Sequence, residues 1–275
     1  MTVSVINSIA RPERQGIIDE YLVVLGNITT QDRFTYGSSH RLCPDTPAPV
    51  FLPNRDEINA GMAGNVYENL KGLGLKCDLI TNSEKIIKQR YVDEKTNHTF
   101  LRVDTRDTVC RIKFNPSIIQ KQNYSAIVIA DYGKGFLTES DISILCQINK
   151  NVFLDTKKAI GRWCKAASFV KVNSPEFEAF KNDINIEDWR NKLIVTLGDR
   201  GCMFLKSTGF NYYTVNKVDV FDLAGAGDTF QAALVAKFLE TTDIDQSLKY
   251  ANRRASEVVQ RKGVISFTKQ RKNDQ

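Results

Sequence analysis

The segment Asp222-Leu223-Ala224-Gly225-Ala226-Gly227-Asp228-Thr229-Phe230, followed by the apolar run Gln231 to Leu239, has residue types suited to handling a phosphate. Gly225 and Gly227 carry no side chain to hold an anion off the backbone. The N–H groups that open a helix have no carbonyl partner inside it, so a phosphate fits against them. Asp228 falls in the first turn of that helix, where the dipole is expected to keep it ionised. A carboxylate there can accept a proton from a hydroxyl lined up against the phosphate. Low basicity suffices, because a loose phosphoryl-transfer transition state needs little early deprotonation. Gly-x-Gly by itself more often marks an ordinary glycine-rich turn with Asp as the helix cap.

Charged groups also follow three apolar runs: Asp131-Tyr132-Gly133-Lys134-Gly135, Asp155-Thr156-Lys157 and Asn173-Ser174-Pro175-Glu176. If those runs are parallel strands, their carboxyl ends are where ligands of open α/β folds gather. The carboxylate of Glu176 has the hard oxygens that suit Mg²⁺, which keeps several waters and bridges nucleotide phosphates. The plain structural alternative makes Asn173 a turn residue and Glu176 an acid at a helix start. The cysteines, Cys43, Cys77, Cys110, Cys146, Cys164 and Cys202, are scattered without a C-x-x-C pair, and His40 and His98 are the only histidines, so no zinc site is expected.

Positioning these groups requires a layered fold. Short β-branched runs (Leu22 to Leu25, Leu79 to Thr81, Ala126 to Ala130, Val152 to Asp155, Phe169 to Val172 and Leu193 to Thr196) do not alternate in polarity, which predicts strands covered on both faces in a mainly parallel sheet. Helical stretches fill the gaps: Gly64 to Gly72, Glu139 to Asn149, Glu176 to Lys181, Thr229 to Glu240 and Asp245 to Gln260. Two segments break this rhythm. Arg33 to Arg55 is Pro-rich and Lys88 to Arg106 alternates like a strand, which predicts a small antiparallel flap above the carboxyl edge of the sheet, extending from a single domain over residues 1–275.

Composition agrees with an enzyme-sized globular chain. At 275 residues, 42% hydrophobic and 25% charged, the sequence excludes collagen-like and disordered classes. Its apolar runs are strand-sized and fall short of a membrane span. The start, Met1-Thr2-Val3-Ser4, lacks a basic and then apolar leader, so the expectation is cytoplasmic. The net charge of +6 lies partly in the tail (Arg261, Lys262, Lys269, Arg271, Lys272) and comes without aromatic platforms, so no nucleic-acid partner is expected.

Taken whole, the Asp222 to Phe230 string resembles the C-terminal signature of the ribokinase (PfkB) family of sugar kinases, D-T-x-G-A-G-D-T-F, with Leu223 in place of its Thr. The resemblance implies a ribokinase-like α/β fold, Asp228 as the base, and Gly225, Ala226 and Gly227 lining an anion hole. Gly26-Asn27-Ile28, Asp32-Arg33-Phe34-Thr35-Tyr36-Gly37 and Ser39 to Val50 narrow it to the kinase half of the bifunctional heptose kinase and ADP-heptose synthase family, with Asn27 where that family has Asp. This implies sugar contacts from Asp32 and, through Gly61-Met62-Ala63-Gly64-Asn65-Val66 (family G-G-A-x-N-V), from a hinge at Gly61 and the Asn65 amide. Arg90 and Arg102 resemble the family strand pair under the sugar, where guanidinium forks can neutralise a phosphate already on the substrate. Asp131 and Lys134 (family S-D-Y-x-K-G) join the acceptor side.

On the nucleotide side the resemblance places Asp155 and Lys157 (family D-P-K), Asn173 and Glu176 (family N-x-x-E, organising Mg²⁺ through water), Thr196, Gly198 and Gly201, and Asn252 on a helix beside the adenine. It runs from about Leu22 to about Ser266 in family order, without a nucleotidyltransferase half, so any ADP transfer is expected of another protein. The implied reaction is phosphoryl transfer from Mg²⁺-ATP to the anomeric hydroxyl of D-glycero-D-manno-heptose 7-phosphate. A homodimer through the flap is expected, because Phe34, Phe51 and Phe100 would otherwise face water. The alternatives are a kinase for another sugar or a nucleoside, and a non-catalytic sugar- or nucleotide-binding relative.

Overall fold

The structure, a computed structural model, describes residues 20–220 and 222–260. The N-terminal residues and the basic tail from Arg261 lie outside it. The chain runs β1 (Tyr21–Gly26), β2 (Ile28–Leu42), β3 (Pro49–Met62), α1 (Ala63–Gly72), β4 (Lys76–Ile80), β5 (Ile87–Asp93) and β6 (Thr99–Asp104). It continues through α2 (Pro116–Lys121), β7 (Ala126–Asp131), α3 (Glu139–Ile148), β8 (Val152–Thr156), β9 (Phe169–Asn173) and α4 (Ser174–Phe180). The last elements are β10 (Leu193–Thr196), β11 (Cys202–Lys206), β12 (Gly209–Tyr213), α5 (Ala226–Thr241) and α6 (Ile244–Val259).

Eight strands form one sheet in the order β12-β11-β10-β9-β8-β7-β1-β4. The pairs from β10 to β4 are parallel, and β11 and β12 close one edge in antiparallel fashion. The non-alternating apolar runs have the cause expected of them. Val23 and Leu25 join one buried layer and Leu22 and Val24 the other, so a strand covered on both faces has no polar positions. The fold is ribokinase-like, with a mainly parallel sheet between helices. Strand β4 begins at Lys76, earlier than the Leu79 to Thr81 run suggested, because it pairs with β1 from Tyr21 onward. Among the described residues no helix is long and apolar enough to cross a membrane.

The flap is a second sheet in the order β3-β2-β5-β6. It departs from expectation in two ways. Its strands reach beyond 33–55 at both ends, and β2 pairs with β5 in parallel rather than antiparallel fashion. The parallel pair follows from connectivity: between β2 and β5 the chain passes through α1 and β4 of the main body, and such a crossover lets it return in the same direction. The flap joins the main body at Asn27 and at Met62. Met62 holds φ 57° and ψ −134°, a conformation native to glycine, and is buried. The family glycine that it replaces would hold this turn without the strain, of order 1–3 kcal/mol, that a side chain brings.

Phe34 does not face water. With Tyr36 and Val92 it forms a small buried cluster against Ala224, so the inner face of the flap rests on the glycine-rich loop. Phe51 and Phe100 pack edge to face, with centroids 5.8 Å apart.

Candidate active site

Gly225 takes φ 82° at the start of α5, a left-handed conformation that lets the chain swing from the loop into the helix. The Asp222 carboxylate accepts from the Ala224 amide (2.8 Å), and the Ala226 N–H donates to the Leu223 carbonyl (3.3 Å), fixing the loop ahead of the helix. The Gly227 and Asp228 amides that follow have no carbonyl to bind within the helix, an end of the kind that suits an anion, while the Thr229 amide donates to Gly225 (2.9 Å).

Asp228 is buried in this first turn, and both its oxygens are held. The Asn65 amide donates to Oδ2 at 3.0 Å and the Tyr132 hydroxyl donates to Oδ1. The expectation of a weakly basic, dipole-stabilised carboxylate is corrected here. Burial raises the Asp228 pKa to about 6, outweighing the hydrogen bonds from Tyr132 and Asn65 and the Lys171 ammonium, all of which lower it; Asp155 adds to the rise. The local dipole is the smaller effect because the whole carboxylate is removed from water.

Asn65 therefore holds the Asp228 carboxylate, and its amide, expected from the resemblance to contact the sugar, is already engaged. It lies inside α1 rather than capping it, and its own Oδ1 accepts from Asn69 (3.1 Å). Tyr132 was missed, although it stands in the quoted Asp131 to Gly135 motif. Lys171 was also missed. It pairs with Asp155, both buried, and approaches Gly227, where a Cβ would lie 3.4 Å from its Nζ. The signal was a lysine inside the otherwise apolar strand Phe169–Asn173, since a lysine is almost never buried unless paired.

Tyr132 gives a test of this arrangement. Its own pKa is driven well above the usual phenol value by burial and by Asp228, so it stays a donor. Tyr132→Phe removes a donor that lowers the Asp228 pKa, so the acid limb of kcat/KM should move from about pH 6 to higher pH. The loss should be roughly tenfold or more below the limb and shrink above it. An equal loss at every pH would show that Tyr132 matters only to packing.

Several acceptor-side groups are already partnered. Asp131 accepts from the Gly133 amide (3.1 Å), the Thr156 hydroxyl (2.8 Å) and Lys158, so it organises the strand end and does not offer a free carboxylate. Lys134 pairs with Asp107. Buried Asp32 pairs with Arg90, whose guanidinium also lies over the Phe34 ring at 4.6 Å. Arg102 binds Asp104 through two bonds of 2.8 and 2.7 Å. Both arginines, expected from the resemblance to neutralise a substrate phosphate, thus already hold carboxylate partners. Gly61 is buried beside Thr29 in the β2–β3 ladder, at the base of the flap.

On the other side of the loop a cavity of about 280 Å³ brings together Thr196, Gly198, Gly201, Ala226, Gly227 and Asn252. Asn252 donates to the Tyr213 carbonyl (2.7 Å), and Gly201 (φ 88°) packs so tightly on that carbonyl that no side chain fits. Leu223 and Val220 add exposed apolar surface at its rim. Asp155 is committed to Lys171 and does not line this cavity.

Asn173 and Glu176 form a reciprocal cap at α4. The Asn173 side chain accepts from the Glu176 amide, and Glu176 accepts from the Asn173 backbone and side-chain amides, each at 2.8 Å. Lys157 pairs with the same carboxylate. A direct bond to a metal would have to displace that ammonium, and the described residues contain no cluster of three or more metal-ligating side chains. The donor set fits Mg²⁺ held through water with the phosphates of a nucleotide.

Comparison with known proteins bears on the fold and the family. Residues 137–271 match the family model described as pfkB family carbohydrate kinase. The bifunctional protein HldE of Haemophilus influenzae (strain PittEE) is 26% identical over 294 residues, covering 90% of this chain and 61% of its own. HldE of a Nitratiruptor species is 27% identical, covering 90% and 63%. The chain thus spans less than two thirds of the length of these curated relatives. Among solved structures, ribokinase from Thermotoga maritima superposes with a TM-score of 0.67 at 14% identity, covering 92% of this chain and 98% of its own. The Methanocaldococcus jannaschii nucleoside kinase gives 0.65 at 18%, covering 89% and 93%. At these identities the two structures bear on fold alone.

Proposed function

We propose that this chain, a carbohydrate kinase carrying a pfkB-family domain over residues 137–271, transfers the γ-phosphate of ATP to the anomeric hydroxyl of D-glycero-D-manno-heptose 7-phosphate. The observation that carries the kinase reading is the placing of Asp228, raised to a pKa of about 6, between the flap and the cavity that holds the nucleotide-side residues. The sugar rests on the heptose-kinase resemblance of the flap motifs and on the cations that the flap presents.

In this reading the sugar lies between the flap and Asp228, and ATP occupies the cavity lined by Thr196, Gly198, Gly201 and Asn252. The acceptor hydroxyl gives its proton to Asp228 as its oxygen bonds to the γ-phosphorus. The bond from that phosphorus to the β–γ bridging oxygen breaks, and ADP leaves with the electron pair. Amides around Gly225 to Gly227 hold the charge on the transferring group. Glu176 and Asn173 would hold Mg²⁺ through water, and the ion would supply neutralisation of the nucleotide phosphates. Asn65 and Tyr132 keep the base oriented.

A panel of sugars and their phosphates offered with ATP and Mg²⁺, read by mass spectrometry, tests the acceptor. The heptose 7-phosphate should gain one phosphate most efficiently. A preference for nucleosides or free sugars would replace it as the substrate.

The setting proposed is cytoplasmic, as a homodimer through the outer face of the flap, where Ile58, Leu101 and Val103 are 43–55% exposed. A monomer by light scattering at micromolar concentration would remove the dimer.

A further inference from the structure

Strands β2, β5 and β6 place five charged groups on the inner face of the flap, beside the mutually paired Arg55 and Glu57 of β3, and the partners of each can be followed one by one. Register places Asp32 beside Lys88, Lys88 opposite Asp104, and Arg90 opposite Arg102, so all five side chains share one face. Phe34, which pairs with Arg90 in register, packs on Ala224, so this face is the one turned to the glycine-rich loop. Arg90 is satisfied by Asp32 and Arg102 by Asp104. Three cations against two carboxylates leave one positive charge over, and it resides on Lys88. Among the described residues Lys88 has no ion pair, whereas Lys134, Lys157, Lys158 and Lys171 around the same site are paired with Asp107, Glu176, Asp131 and Asp155.

Lys88 is also placed where a ligand would meet it. Its Nζ lies 5.5 Å from the ring centroid of Tyr132, the residue that donates to Asp228. Burial pulls the Lys88 pKa down, with Arg102 and Arg90 adding to this and Asp32 and Asp104 opposing it. A partly desolvated ammonium that rests on an aromatic face, with the neighbouring carboxylates already bound to arginines, gains more from an anion than a solvated one does. Lys157 approaches the same ring (5.9 Å), but its charge is committed to Glu176.

We propose that Lys88 is the specificity-determining cation of the acceptor site, taking up a phosphate monoester that the sugar already carries, while Arg90 and Arg102 brace the flap through Asp32 and Asp104. The inference rests on the kinase reading above and deepens it, because it supplies the chemical reason for choosing a phosphorylated acceptor over a free one. A phosphate at Lys88 has two possible sources, the acceptor's own group or the γ-phosphate of ATP, and the test separates them.

The test compares wild type, Lys88→Met and Lys88→Arg. Met keeps the aliphatic stem over Tyr132, and Arg restores the charge. Calorimetric titration with D-glycero-D-manno-heptose 7-phosphate and with the free heptose needs no turnover; steady-state rates then give KM for ATP. Wild type should bind the phosphorylated sugar at least tenfold more tightly than the free sugar. Lys88→Met should erase most of that preference, leave free-sugar affinity and KM for ATP within about twofold, and regain part of the preference as Lys88→Arg.

A wild-type preference that survives Lys88→Met overturns the inference while leaving the phosphorylated substrate intact. A rise in KM for ATP in place of the sugar-phosphate effect assigns Lys88 to the transferring phosphate and also overturns it. No wild-type preference for the phosphorylated sugar rejects the substrate reading, and the inference falls with it. Loss of affinity for both sugars together would mean that the flap has moved, again against a phosphate-specific role.

Discussion

Asp228→Asn should lower kcat by roughly 10² to 10⁴, the span expected when a positioned base is removed, while ATP affinity stays near wild type. The carboxamide keeps the volume of the side chain and can still accept from Tyr132 or Asn65 at its one oxygen, so the loss reports proton acceptance rather than collapse of the site. Because burial sets the Asp228 pKa near 6, the wild-type rate should rise through that pH and level off above it, and the residual rate of the variant should lose this limb. Near wild-type turnover in Asp228→Asn would end its assignment as the base.

The largest effect on stability is expected at Lys171. Its ion pair with Asp155 joins β9 to β8 with both side chains about nine-tenths buried. Replacing Lys171 by Met fills the space but strands the Asp155 carboxylate, a change that typically costs about 3–5 kcal/mol. In a chain of this size that should lower Tm by about 10 °C. Lys171→Met combined with Asp155→Leu should recover much of the loss, since a well-packed apolar pair often matches a buried ion pair. Thermal denaturation of the three proteins decides this. A single variant within about 1 kcal/mol of wild type would show that the pair contributes little. The same ammonium also lowers the Asp228 pKa, so any activity left in the single variant should need a higher pH.

How far the sequence could be read depended on the range of the interaction involved. The place of Gly225, Gly227 and Asp228 at a helix start was legible because a glycine-rich turn into a helix is local, fixed by consecutive residues. The parallel strands were legible because double-sided burial removes polar positions from a run such as Ala126–Asp131, buried throughout. The basicity of Asp228 was not, because it arises from burial that only the folded chain creates, opposed by hydrogen bonds from Tyr132 and Asn65, residues far away in the chain. The partners of Arg90 and Arg102 were hidden for a related reason: Arg90 finds Asp32 on another strand, and Arg102 reaches Asp104 only because β6 places them on the same face. Lys88, on the same flap strand as Arg90, drew no attention because an alternating strand segment normally carries solvated lysines. Only the pairing of its neighbours isolates its charge.

The reaction proposed is transfer of a phosphoryl group from ATP to a sugar hydroxyl with Asp228 as the base. Phosphorus NMR of the full chain with ATP, Mg²⁺ and heptose 7-phosphate follows that transfer directly. The γ resonance of ATP should disappear as a new phosphate monoester signal coupled to the anomeric proton grows in equal amount, and Asp228→Asn should abolish this exchange on the same timescale. ATP converted only to ADP and inorganic phosphate, or a new ester that forms equally well with Asp228→Asn, would contradict it.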